Sequence, residues 1–318
     1  MPRLEHDAIK SQLLFTGTIC DSILFKLLSQ NSLTSQETIE STILRTFKPI
    51  PLGVTIKVNF QTKPKLILSN NVVGVVSGTN KTLNNEHIVI SAQWDAFGFK
   101  KPIDGDSICN GALDDGSGLT SALALARVFA ANPQPRSITF LFCTAEELGL
   151  LGSDAFVRFG PLSSKNIIAN FNIDEGTELF GRKIDVAPLG IEQSSLGITV
   201  SKIASKKGLR VSNDPYPEEG YFLRADNYSF AKFGIPALYM GLGTKDIDHD
   251  PGWTNSKNEE YINKHYHQVS DNYENVVLDL RGAVQLAEFT RDLIYDIANS
   301  KEKPKWLPSS EFDRLDHK

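Results

Sequence analysis

Apolar and polar positions change period several times along this chain. Apolar residues recur at helical spacing around Ile9, Leu13 and Leu14, and again at Ile23, Leu24, Leu27 and Leu28. A Ser/Thr/Gln-rich stretch over 29–41 separates them from a predicted strand at Val54–Phe60. From Asn71 the pattern changes. NVVGVVSG and HIVISA are short apolar runs on either side of the polar TNKTLNNE, which predicts a hairpin. GSGLTSALALARVFAAN predicts a helix with Leu119, Ala122, Leu123 and Ala126 on one face, ended at Asn132-Pro133. SITFLFC and IIANFNI are too short for helices and rich in β-formers, so they read as buried strands. LGLLGSDAFVRF and SSLGITVSKIASKKG read as helices, the second closed by Gly208. IDVAPLG reads as another strand, and FGIPALYM as a turn into the last one. Leu286, Phe289, Leu293 and Ile297 form the apolar stripe of a C-terminal helix running from about Leu280 to Ile297.

Strands alternating with helices of this length predict an α/β fold: three layers, α/β/α, around a mostly parallel mixed sheet. The expected division is a leader over 1–60, a main domain over 61–300 and a tail over 301–318. Against 38 Asp and Glu stand 33 Lys and Arg, a net charge of −5, which argues against nucleic acid or an anionic membrane as partner. No run approaches the ~20 apolar residues that span a bilayer. The first residues, MPRLEHDAIKSQLLF, are charged throughout and make no signal peptide. The residues alone leave the compartment open. Cys20, Cys109 and Cys143 are too widely spaced for a CxxC metal site or a disulfide framework. With six histidines, of which only His265 and His267 are close together, a metal site must lean on carboxylates.

Acidic residues recur just after the predicted strands. HIVISA leads to Gln93-Trp94-Asp95, SITFLFC to Thr144-Ala145-Glu146-Glu147, and IIANFNI to Asp174-Glu175. Asp114-Asp115 opens a helix, and Tyr266-His267-Gln268 precedes Asp271. Each has a plain structural reading: a helix cap, a charge on a helix dipole, a turn or a surface histidine. Together they strain that reading. In α/β sheets the strand ends converge, and several carboxylates in one place repel unless a cation compensates. Carboxylates with an imidazole suit zinc.

These segments, in this order, resemble the M28 family of zinc aminopeptidases. NGALDDGSG is similar to the family's NGADDNASG, TAEELGLLGS to TAEEQGLLGS, and NFNIDEG to NLDM. YHQVSDNY is similar to YHQPSDEY, and ADNYSFAKFGIPALY to SDHFSFAKAGIPALY. PYPEEGYF and PGW point to a bacterial-type subgroup, and the likeness covers about residues 50–310. It implies a zinc-exopeptidase-like fold and a peptide substrate. By this resemblance Asp114 bridges two zinc ions, Glu147 and His267 complete one, and Asp174 and residue 93 complete the other. Glu146 is the general base and Tyr266 donates to the oxyanion. Asp95, Asp226 and Asp271 stand behind the ligands, with Asp95 orienting residue 93.

The chain departs from the family at Gln93, in AQWDAFG, where the family pattern is AHWDHLG. An amide oxygen is a neutral, weak zinc ligand. Asp114, Glu147, His267 and the base Glu146 remain, and three protein ligands with an open position suffice for a catalytic zinc. One ion is thus more secure than two. The related glutaminyl cyclases work with a single zinc, so a cyclase is a further reading, beside that of an impaired, binding-only member. The front is a second departure: family members usually carry an N-terminal export signal, so the resemblance implies a periplasmic or secreted protein if the N-terminus is truncated, and otherwise a cytoplasmic one. Ala225, where the family has Ser before Asp226, is a minor departure.

Overall fold

The computed structural model describes residues 19–314, apart from positions 43, 45, 60, 62, 64 and 175. The helical spacing at Ile9, Leu13 and Leu14 and the acid Glu175 lie outside the described residues. Two compact units divide the chain, one within Glu5–Leu68 and one from Ser69 onward. The smaller carries α1 (Asp21–Gln30) and α2 (Ser35–Thr42). The strand expected at Val54–Phe60 does not form over its described residues, 54–59. Val54, Ile56 and Val58 alternate as a strand would, but a lone strand leaves its backbone groups without partners.

In chain order the larger unit carries β1 (Val72–Val76), β2 (His87–Gln93), β3 (Gly98–Ile103), β4 (Asp106–Cys109), α3 (Gly116–Ala131), β5 (Ser137–Cys143), α4 (Leu151–Phe159) and β6 (Ile167–Ile173). It continues with β7 (Asp185–Val186), α5 (Leu196–Lys206), β8 (Arg210–Val211), α6 (Tyr221–Arg224), α7 (Asn227–Lys232), β9 (Ala237–Met240), α8 (Trp253–Lys264) and α9 (Arg281–Asn299). The central sheet runs β1-β5-β2-β6-β9. The last four of these are parallel, and β1 is antiparallel to β5 at the edge. The mostly parallel mixed sheet is as the pattern predicts.

Period-two alternation divides the core between the faces of the sheet. Ile88, Ile90, Ile138 and Phe140 point to one face, where α3, α5 and α9 contribute Phe129, Val200 and Leu293. Val89, Leu141 and Cys143 point to the other, against Phe156 of α4 and Phe230 of α7. The result is the three-layer arrangement. The predicted stripe of α9 holds, with Leu286, Phe289, Leu293 and Ile297 all buried.

Three local expectations change. The hairpin does not form, because β5 lies between β1 and β2. Every residue of β2 is buried, so it takes a central place with a neighbour on each side, while the half-exposed β1 takes an edge. In α3 the buried face is Gly118, Ala122, Leu125 and Phe129, and Leu123 is exposed. The 301–318 tail also packs into the larger unit over its described part. Trp306 and Phe312 join the second core cluster, and the Ser195 and Leu307 amides donate to the Lys305 and Gln193 carbonyls. No helix of the described residues is long and apolar enough to cross a membrane.

Gly118 sets the close approach of α3 to the sheet. A Cβ there would lie 2.4 Å from the Ile173 carbonyl oxygen and 2.3 Å from Asp115 Oδ1. Gly118→Ala is expected to cost about 1–3 kcal/mol, because a backbone oxygen cannot step aside cheaply. Leu123→Ala, on the exposed face, is expected to stay within about 0.5 kcal/mol. Urea unfolding of both variants checks this, and equal losses would contradict the packing described.

Candidate metal centre

The chemistry-bearing residues gather where parallel strands end. β5, β2 and β6 are adjacent, and Gln93, the last residue of β2, is level with Cys143, the last of β5. Thr144 to Glu147 follow β5 directly, and Asp174 follows β6. Asp114 and Asp115 sit just before α3, and Tyr266 and His267 follow α8. Sheet order thus joins segments that lie far apart in sequence.

Asp114, Glu147 and His267 each offer one ligand atom, and the three atoms lie within 4.8 Å of one another. His267 Nε2 is 3.1 Å from Asp114 Oδ2 and 3.4 Å from Glu147 Oε2. The other Asp114 oxygen, Oδ1, accepts a hydrogen bond of 2.9 Å from Gln93 Nε2. Gln93 Oε1 and Glu147 Oε1 are buried without a hydrogen-bond partner. Buried oxygens of this kind are costly unless a positive group faces them. The donor set and the unpartnered Glu147 oxygen fit one divalent ion. Asp174 is buried close by but is not one of the three grouped ligands.

The surrounding bonds fix the ligands. Asp271 accepts the backbone N–H of Leu113 at 3.1 Å and of Asp114 at 3.2 Å, and the Tyr261 hydroxyl at 3.3 Å. Asp95 accepts the Glu146 N–H at 3.1 Å. The resemblance implies that Asp95 orients residue 93. It holds the Glu146 turn instead, and the Gln93 side chain is oriented by Asp114. Asp226 is buried behind β5, with its carboxyl near Ser153 and Cys143. Ala145 and His267 adopt left-handed backbone angles, with φ +57° and +58°. Non-glycine residues pay for that conformation, and it recurs at functional sites. The Tyr266 ring stacks on His267 with centroids 3.6 Å apart, and Arg224 Nη2 stands 3.4 Å from the Tyr266 hydroxyl.

Burial is the largest influence on these carboxyls, followed by their mutual repulsion. Burial, with Asp174 next, pushes Glu146 up to about 11. Burial, then Asp114 and Asp174, pushes Glu147 up to about 9. Burial raises Asp114 to about 6, against the hydrogen bond from His267, which lowers it.

Some neighbours escape the sequence reading. Asp115 looks like a helix cap, and its Oδ1 does accept the Gly118 N–H at 2.8 Å. Its Oδ2 also accepts the Gln93 N–H at 3.0 Å, tying α3 to the end of β2. The doubled Asp114-Asp115 was the available signal. Phe97 packs on His267 at 4.2 Å, and the Lys100 ammonium donates to the His267 carbonyl. Neither carries a local motif. His249 lies in a loop, stacked on Trp253 and bonded to Asp279.

The sequence profile described as Peptidase family M28 matches residues 71–291. Aminopeptidase YwaD of Bacillus subtilis is 25% identical over 250 residues, covering 75% of this chain and 47% of that protein. A probable zinc metalloprotease of Pyrenophora teres f. teres is 26% identical over 212 residues, covering 64% of this chain and 43% of its own length. The chain therefore spans about half the length of these relatives. Among solved structures, the LapA aminopeptidase of Legionella pneumophila superposes with a TM-score of 0.52 at 23% identity, covering 73% of this chain and 56% of that one. A peptidase M28 precursor from Shewanella amazonensis superposes with a TM-score of 0.53 at 20% identity, covering 75% and 46%. These structures show the fold.

Burial moves the Glu147 carboxyl from 4.5 to about 9 in the metal-free fold, so the folded state holds a proton that the unfolded chain gives up. The stability carried by that proton is complete below about pH 4.5 and is lost as pH rises toward 9. A divalent ion needs the ionised form. In chelator, the Tm is expected to fall between pH 5 and pH 8, while the gain in Tm on adding zinc grows over the same range. Scanning fluorimetry reads both, and a zinc gain that shrinks with pH would contradict a carboxylate-led site.

Proposed function

Because the chain belongs to Peptidase family M28, we propose that it is a zinc-dependent aminopeptidase that works with a single ion. The observation that carries this reading is the Asp114, Glu147 and His267 group at the strand ends, with Glu146 beside it. Asp114, Glu147 and His267 would hold the zinc ion, which would supply Lewis acidity to lower the pKa of water and polarise a peptide carbonyl. With a cation at the site offsetting the repulsion that raises it, Glu146 would be ionised, take a proton from the attacking water and deliver it to the departing amine. The Tyr266 hydroxyl donates to the carbonyl oxygen as negative charge builds on it. Asp271 keeps the 113–114 backbone, and so the Asp114 carboxylate, in place.

Gln93 is the reason for one ion. Its amide N–H points at Asp114 Oδ1, the oxygen turned away from His267. A bridging carboxylate needs that oxygen for a second ion, and here a hydrogen-bond donor occupies the place. The amide satisfies the carboxylate without adding charge, and it offers no imidazole. The binding-only reading also rests on Gln93, since the loss of a second ion weakens the electrostatic stabilisation of the transition state.

Elemental analysis of the zinc-loaded protein is expected to give one zinc per chain, and two would overturn the single-ion reading. Gln93→His is expected to raise the count toward two. Glu146→Gln is expected to keep the zinc and lower the hydrolysis of aminoacyl arylamides by about 100-fold or more. One zinc per chain with no turnover on a broad arylamide and peptide panel would favour the binding-only member.

A further inference from the structure

A cavity on the same edge of the sheet as the metal centre is lined in part by an acidic residue that the mechanism does not use. Glu178 lines it from the short turn Thr177–Leu179, four residues beyond Asp174. The Glu178 side chain is 3% exposed, and its Oε2 has no hydrogen-bond partner. Lys183, whose charge acts on it, is engaged elsewhere. Lys183 Nζ is taken up by the Phe180 carbonyl at 2.9 Å, the Gly181 carbonyl at 2.6 Å and Asp246 at 3.5 Å. Burial pushes the Glu178 carboxyl up to about 8, which shows how poorly its charge is compensated. The turn itself is anchored, because the Thr177 hydroxyl donates to the Leu242 carbonyl at 2.7 Å.

The cavity belongs to the same edge of the sheet as the metal centre. Gly176 is two residues from Asp174, and Tyr239 of β9 is level with Asn172 of β6. Ile262 on α8 lies one turn before Tyr266 and packs in the same cluster. Leu189, Tyr239, Leu242 and Ile262 give the cavity apolar walls. Asp214 is a second acid on its lining, and among the described residues no lysine, arginine or histidine lines it. Apolar walls with acidic groups suit a long aliphatic stem that ends in a cation.

We propose that this cavity receives the side chain of a substrate's first residue, and that Glu178 selects lysine or arginine there over an uncharged chain of the same length. An aliphatic side chain would leave Glu178 Oε2 buried and without a partner, as it already is, and so would gain nothing there. A terminal ammonium or guanidinium supplies the missing donor and the missing charge. This specificity rests on the aminopeptidase reading, and its test separates the two.

The comparison is lysine against norleucine, which has the same four-carbon chain without the amine. Binding of L-lysinamide and L-norleucinamide to the zinc-loaded protein is measured by calorimetry. Turnover is measured on the corresponding p-nitroanilides. The wild type is expected to favour lysine by about tenfold or more in both assays. Glu178→Gln is expected to remove most of that preference. If the variant fails to fold, the wild-type comparison alone decides. Equal affinity, preference for norleucine or no binding of either amide overturns the role of Glu178. Turnover without a lysine preference leaves the peptidase standing and removes the pocket assignment. A lysine preference in binding without any turnover does the reverse.

Discussion

Mutual repulsion among buried carboxylates is the constraint from which the rest of the larger unit can be understood. Glu146, Glu147 and Asp174 come to one edge because β5, β2 and β6 run parallel and end together, and Asp114, just before α3, joins them there. In a low-dielectric setting they cannot all be ionised unaided, and burial with their own proximity drives Glu146 and Glu147 far above the usual carboxylate range. A fold that keeps such a cluster has to offset it with protons, with hydrogen bonds or with a cation. All three devices are visible: raised carboxyls, the N–H groups given to Asp271, Asp115 and Asp95, and a three-ligand group open to a metal.

Gln93 changes how that balance is struck. An imidazole at this position would add a metal ligand and so admit another positive charge. The amide instead gives Asp114 a hydrogen bond and leaves its own oxygen without a partner. In the proposed single-ion centre, this donor stands beside Asp114 where a second cation would otherwise be called for. The supporting bonds are unaffected, because the Gln93 backbone N–H, which any residue would provide, holds Asp115.

Much of the site is legible in sequence for a simple reason. Buried parallel strands read as unbroken apolar runs, and the polar residue that ends each run must emerge at the sheet edge. Glu147 and Asp174 are found that way, Asp114 and His267 are pointed to by the family resemblance, and the structure brings the ligand atoms of Asp114, Glu147 and His267 together. Residues that act through non-local geometry are less visible. By the family resemblance Asp95 reads as a partner of residue 93, yet it accepts the backbone N–H of Glu146. Asp115 reads as a cap and also ties down β2. Glu178 carries no signal at all, since only the fold shows that it lines a cavity and that one of its carboxyl oxygens is buried without a partner.

By itself the sequence determined the α/β class, the buried strands, the stripe of α9 and the acids that follow the strands. Each of these depends on a local period or on a residue's place at the end of a run. Tertiary structure alone decided that β5 separates β1 from β2, that α3 buries Gly118 and Leu125 rather than Leu123, and that Trp306 and Phe312 close the core. It also decided which oxygen of Asp114 meets His267 and which meets Gln93. Strand neighbours and side-chain partners are chosen by which surfaces remain to be covered once every segment is in place, and no local window of sequence contains that information.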